Sequence, residues 1–206
     1  MLFNILTLIS FFIILLTLNT LTGVFPSLMA CLIRWKESIN LDASVQLSRD
    51  RNLMTMTLII PFCLTAHRFN LYAPEWIGEL GTNTRLVTLV GIFTAYVLVR
   101  TGLEYWLRPG KMNPKTYRTA CRSAYTFFSI LTLLLMATGG IMTFADADPT
   151  TIKNAMLCIS AAIYMLLLIR KYQILTSSCS FFVGFLYLCA LEFLPTGILI
   201  ASAVIF

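Results

Sequence analysis

The basic residues of this chain gather around alternate gaps between its long apolar runs, and few folds accommodate that arrangement. There are fifteen Lys and Arg residues, and twelve of them surround three of the gaps. Arg34, Lys36, Arg49 and Arg51 lie in the first gap; Arg100, Arg108, Lys111, Lys115, Arg118 and Arg122 surround the third; Arg170 and Lys171 lie in the fifth. The second and fourth hold only Arg68, Arg85 and Lys153. Basic residues near the ends of membrane spans stay preferentially on the cytoplasmic side. The pattern predicts an all-α polytopic membrane protein, a six-helix transmembrane bundle whose N- and C-termini are both extracytoplasmic.

Composition points the same way. The chain is 58% hydrophobic and 12% charged, against about 25% charged in an ordinary soluble domain. Lipid can cover apolar surface that a soluble protein of this size could not hide. The net charge of +6 sits at span ends, where anionic headgroups on the cytoplasmic side attract each basic residue by about 1 kcal/mol. No compact basic face exists for nucleic acid, which is not an expected partner.

Spans are expected at about 3–24, 52–68, 85–107, 118–144, 152–169 and 178–206, forming one transmembrane domain over 1–206. The first apolar stretch continues through Pro26 to Trp35, beyond the ~20 residues needed to cross. It must therefore tilt, or kink near Gly23 and Pro26. No basic residue precedes Arg34, so the segment reads as an uncleaved span rather than a signal peptide. Ile39, Leu41, Val45 and Leu47 allow a short surface helix in the first gap. Pro61 interrupts span two. Tyr72, Pro74, Glu75 and Trp76 suit an interface in the second gap. Asp146, Asp148 and Pro149 mark the fourth gap and can cap the next helix. Arg170 and Lys171 are expected to close span five.

Few residues carry chemistry. Glu192 lies well inside span six, ~21 Å from its cytoplasmic end at 1.5 Å per residue. A carboxylate at that depth costs about 2.5–3.5 kcal/mol on insertion scales, so it should face the bundle, paired or protonated. His67, the only histidine, falls ~24 Å along span two by the same rise. A pair with Glu192 would make a proton relay; otherwise His67 and Arg68 simply mark the outer interface. Arg100 and Glu104 are spaced to pair on one helix face. Cys63, Cys158 and Cys189 fall at similar depths and are the weak candidates for a metal site, with His67 as a fourth ligand. Nothing in the spacing requires such a site, and no metal or other cofactor is expected.

The stretch Phe185-Leu186-Tyr187-Leu188-Cys189-Ala190-Leu191-Glu192-Phe193-Leu194-Pro195 resembles the C-terminal signature of a Bacteroidota family of small multi-span inner-membrane proteins, defined as a domain of unknown function. That signature reads roughly Tyr-Leu-Cys-x-Leu-Glu-x-x-Pro, and Tyr187, Leu188, Cys189, Leu191, Glu192 and Pro195 fill it. The resemblance implies a location in the inner membrane and no particular reaction. It directs attention to Glu192, Pro195 and Tyr187. Proline withholds an amide hydrogen, which frees a carbonyl next to Glu192.

No phosphate-cradling glycine loop, zinc-binding helix motif or clustered catalytic residues appear, and the gaps are too short for a soluble catalytic module. The leading expectation is a non-enzymatic inner-membrane protein, an accessory or structural subunit of a larger complex with other membrane subunits as partners. A small proton-coupled transporter or channel using Glu192 is the alternative. A membrane-embedded lipid-processing enzyme is the third.

Overall fold

Apolar runs of this length satisfy their backbone groups within helices, because hydrocarbon offers no other hydrogen-bond partner. The computed structural model describes residues 2–71, 81–107 and 113–197, and among them it is helical throughout with no strand. The helices are α1 (Leu2–Ile33), α2 (Trp35–Ala43), α3 (Val45–Arg68), α4 (Thr82–Trp106), α5 (Pro114–Phe144), α6 (Pro149–Thr176) and α7 (Phe181–Leu188). A π-helical turn, Cys189–Phe193, continues α7.

Three of these helices are long and apolar enough to cross a membrane, within Asn83–Trp106, Pro114–Phe144 and Pro149–Thr176; α1 makes a fourth if its two bent halves count as one span. Among the described residues the protein is thus all-helical, with three or four helices fit to span a bilayer. The other two expected spans do not meet that measure among the described residues. The first two turns of α3 are polar, with Gln46, Ser48, Arg49, Asp50, Arg51 and Asn52. The expected span 178–206 is described only as far as Gly197, where the apolar helix Phe181–Gly197 is seen, and its remainder lies outside the described residues.

The bend in α1 lies away from its proline. The halves Ile5–Leu15 and Thr17–Ile33 meet at 64°, while Pro26 sits within the second half. The Thr17 hydroxyl donates to the carbonyls of Ile13 (2.9 Å) and Ile14 (3.2 Å), a back-bond that bends helices by competing with the ladder. In the first gap, α2 buries Ser38 and Leu41, so the expected surface helix is packed against the bundle. Ser44 caps α3, accepting from Leu47 N. Asn113 caps α5, accepting from Lys115 N at 3.0 Å, with Pro114 at the first helical position, where its missing N–H is harmless. Asp148 occupies the N-cap of α6 but makes no side-chain capping bond. The interface expected around Tyr72 and Trp76 lies outside the described residues.

Small and hydroxylated side chains let the helices approach closely, as they do in membrane bundles. On α5 these are Thr119, Ala120, Ser123, Ala124, Thr126, Ser129 and Thr132, all buried. The Thr55 and Ser129 hydroxyls share a hydrogen bond of 3.0 Å that joins α3 to α5. Phe62, Phe93 and Phe128 meet with ring centroids 5.1–5.6 Å apart and join α3, α4 and α5. Of the described side chains of α4, only Leu86 and Leu89 are buried. Most of that helix faces outward, with Val87, Val97, Leu98 and Val99 exposed.

Candidate functional site: a buried four-charge cluster

Helix α6 does not close at Arg170 and Lys171, as expected, but continues to Thr176. The extra turns change what both residues do. Consecutive side chains on a helix point about 100° apart. Arg170 turns toward α1 and donates to the carbonyls of Leu32 (2.8 Å) and Ile33 (2.7 Å), which lack helical partners at that C-terminus. Lys171 turns inward and is completely buried. It shares the buried face with Ile163, Leu167, Ile174 and Leu175, at helical spacing.

Lys171 reaches Glu192. Its Nζ lies 2.5 Å from Glu192 Oε1, and the side chains are 0% and 1% exposed. Arg100 of α4 donates to the same oxygen at 2.8 Å. Glu104 lies one turn further along α4, 3.3 Å from Arg100 and 3.9 Å from Lys171. The cluster holds two cations and two carboxylates and is formally neutral. The idealised penalty for burying a lone ion is of order 20 kcal/mol, so near-complete burial of Lys171 and Glu192 requires such pairing.

The backbone at Glu192 is unusual. The Leu194 N–H bonds to the Cys189 carbonyl, five residues back instead of four. One extra residue therefore enters the turn, and Pro195, which has no N–H, follows directly. Polar groups around it are used: Tyr164 OH donates to the Glu192 carbonyl (3.3 Å) and lies 3.1 Å from Thr196 Oγ1, while Tyr96 OH lies 3.3 Å from the same threonine oxygen. Tyr117 OH donates to the Glu104 carbonyl at 2.8 Å, and Tyr187 packs edge-on against the Tyr117 ring at 6.3 Å. Leu188, Leu191 and Pro195 are buried beside them. The stretch Tyr187–Pro195 is thus one packed unit whose single charge is neutralised from α4 and α6.

A family model, a domain of unknown function designated DUF4271, covers residues 3–202. The chain belongs to the DUF4271 family. No curated protein and no solved structure matches it. Family membership covers the full set of helices and brings no reaction with it.

His67 is not brought to Glu192. It sits at the end of α3, close to Arg85, and the Arg85 guanidinium contacts the Asn70 side chain. Glu192 bonds Arg100 instead, fifteen residues further along α4 than Arg85, or ~22 Å at the helical rise. The depth estimate failed because α3 starts at Val45 rather than Asn52, and α7 at Phe181 rather than Ser178. His67 therefore stands further from its helix start, and Glu192 nearer to its own, than the estimate assumed. The three candidate cysteines are not gathered either: Cys63 is buried, Cys158 is exposed and Cys189 is in between. Among the described residues, no group of three or more His, Cys, Asp or Glu side chains can hold a metal ion.

A second ionic cluster was not anticipated. Asp42 of α2 lies 2.9 Å from Arg51 of α3 and 3.7 Å from Arg122 of α5. Arg51 is almost fully buried and also donates to Ser48 (3.4 Å) and Asn52 (3.1 Å).

Proposed function

We propose that the chain is a non-enzymatic integral protein of the bacterial inner membrane, serving as a structural or accessory subunit of a larger membrane complex. Its helices cross six times, with the basic gaps toward the cytoplasm and both termini on the far side, and its source is Bacteroidota. One observation carries the reading: Glu192 is already held by two cations in a neutral cluster. A carboxylate fixed in this way is suited to clasping α4, α6 and the terminal helix together. It leaves the outward apolar face of α4 free to meet lipid or the helices of other subunits, which associate through packing rather than through charge.

Isolation in native lipid particles, with identification of co-purifying chains, tests this. Other membrane subunits should accompany the protein in fixed ratio. A chain that runs alone and moves protons across liposomes, with Glu192→Gln abolishing the flux, overturns the reading. A second reading, a small proton-coupled carrier, is favoured by the π-turn at Glu192, since such turns occur frequently at functional sites. Glu192→Gln removes titration while keeping size and hydrogen bonding, so flux coupling separates the two.

A further inference from the structure

At the end of the bundle remote from the charge cluster, α1, α3 and α5 enclose a partly open cavity of about 530 Å³. That volume lies within the ~300–1,000 Å³ usual for small-molecule sites. Its polarity runs along its depth. Arg68, Thr143 and Thr7 lie at the helix ends, while Leu64, Pro61 and Met136 line it one to two turns further in. The hydroxyl protons of Thr65 and Thr143 are committed: Thr65 donates to the Pro61 carbonyl (2.8 Å) and Thr143 to the Gly139 carbonyl (2.6 Å). Arg68 is the charged donor at the rim. It is exposed, has no ion-pair partner among the described residues, and rests over the Phe69 ring at 5.6 Å. A guanidinium forms bidentate bonds with an anion.

The geometry points to a binding site for an anionic phospholipid of the surrounding bilayer, with its phosphate on Arg68 and one acyl chain in the cavity beside Leu64 and Met136. A cation at the mouth and an apolar floor match the two ends of that molecule. The inference requires only that the chain lie in a bilayer, and it is independent of the subunit role proposed above. Gly140 gives a clean handle. It lines the cavity, and a Cβ added there meets nothing within 4 Å, whereas one at Gly139 would meet Met156 and Phe69 at 2.6 and 2.9 Å. A larger side chain at 140 therefore enters empty space.

The test is native mass spectrometry of the detergent-purified full chain with added phosphatidylglycerol or phosphatidylcholine, with inorganic phosphate as competitor. Wild type should retain phosphatidylglycerol in preference to phosphatidylcholine. Arg68→Gln should weaken phosphatidylglycerol retention about fivefold, the loss of one basic residue near a headgroup, and erase the preference. Gly140→Leu should reduce retention of both lipids while leaving the melting temperature near wild type; if it lowers that temperature, Met136→Trp is the second filling variant. Equal retention of the two lipids by wild type, or unchanged phosphatidylglycerol retention when the cavity is filled, overturns the site. Displacement of the lipid by phosphate alone, with no effect of filling, overturns it in favour of a bare anion contact at Arg68.

Discussion

The two ionic clusters are built on different plans. Asp42 and Arg51 are nine residues apart in the chain and belong to consecutive helices; Arg122 joins them from α5, with its side chain 34% exposed. The other cluster draws Arg100, Glu104, Lys171 and Glu192 from α4, α6 and the C-terminal π-turn, and its Lys171–Glu192 pair is sealed. The first fixes the α2–α3 elbow around an Asp42–Arg51 pair that is itself almost buried, and only Arg122 stays partly open. The second forms only once three remote segments have assembled, and it helps to hold the sparsely buried α4 in place. Sequence separation thus divides the labour: one cluster shapes a corner, and the other closes the bundle.

Charge removal should divide them in the same order. Glu192→Gln leaves Lys171 and Arg100 with Glu104 as their one carboxylate. Breaking a buried pair in this way costs about 3–5 kcal/mol, which thermal unfolding in detergent would register as a large fall in melting temperature. Lys171→Met alone leaves one uncompensated negative charge and should also be costly. The double variant Glu192→Gln/Lys171→Met restores neutrality around the remaining Arg100–Glu104 pair. Its loss should fall below the sum of the single losses by about 0.5–3 kcal/mol in a double-mutant cycle. Additive losses would mean that the four charges do not act as one unit. Tyr164→Phe removes a donor to the Glu192 carbonyl and the contact with Thr196, for an expected loss of about 0.5–1.5 kcal/mol. Arg122→Gln should be the mildest, at about 0–1 kcal/mol, because a partly exposed arginine 3.7 Å from its partner is already screened by its surroundings. A loss at Arg122 equal to that at Lys171 would erase the distinction between the clusters.

Helix content and the membrane setting were legible in the sequence because apolar run length and charge placement act over whole segments. The Arg100–Glu104 pair was legible because its spacing is local. Lys171 was misread because a basic residue after an apolar run resembles a span end. Its position four residues after Leu167 and three before Ile174 was the available signal that it lay on a buried stripe. The π-turn left only the trace of Pro195, and the partners of Glu192 left none, since they come from residues 21 and 92 positions away. Asp42 and Arg51 looked like ordinary polar-gap residues because gap charges are usually solvated; α2 folding back against α3 and α5 is a tertiary event. The depth estimate that allowed a His67–Glu192 pair misleads because depth depends on where each helix begins, and boundaries are the feature that periodicity determines least well.

Arg170 and Lys171 are joined by a single peptide unit, yet one grips the end of α1 and the other the carboxylate beyond α7. Any twist at this end of α6 that drew the ammonium away from Glu192 would swing the neighbouring guanidinium off the Leu32 and Ile33 carbonyls as well. The opening and closing segments of the chain are therefore mechanically geared to each other, and neither can be loosened without the other feeling the movement.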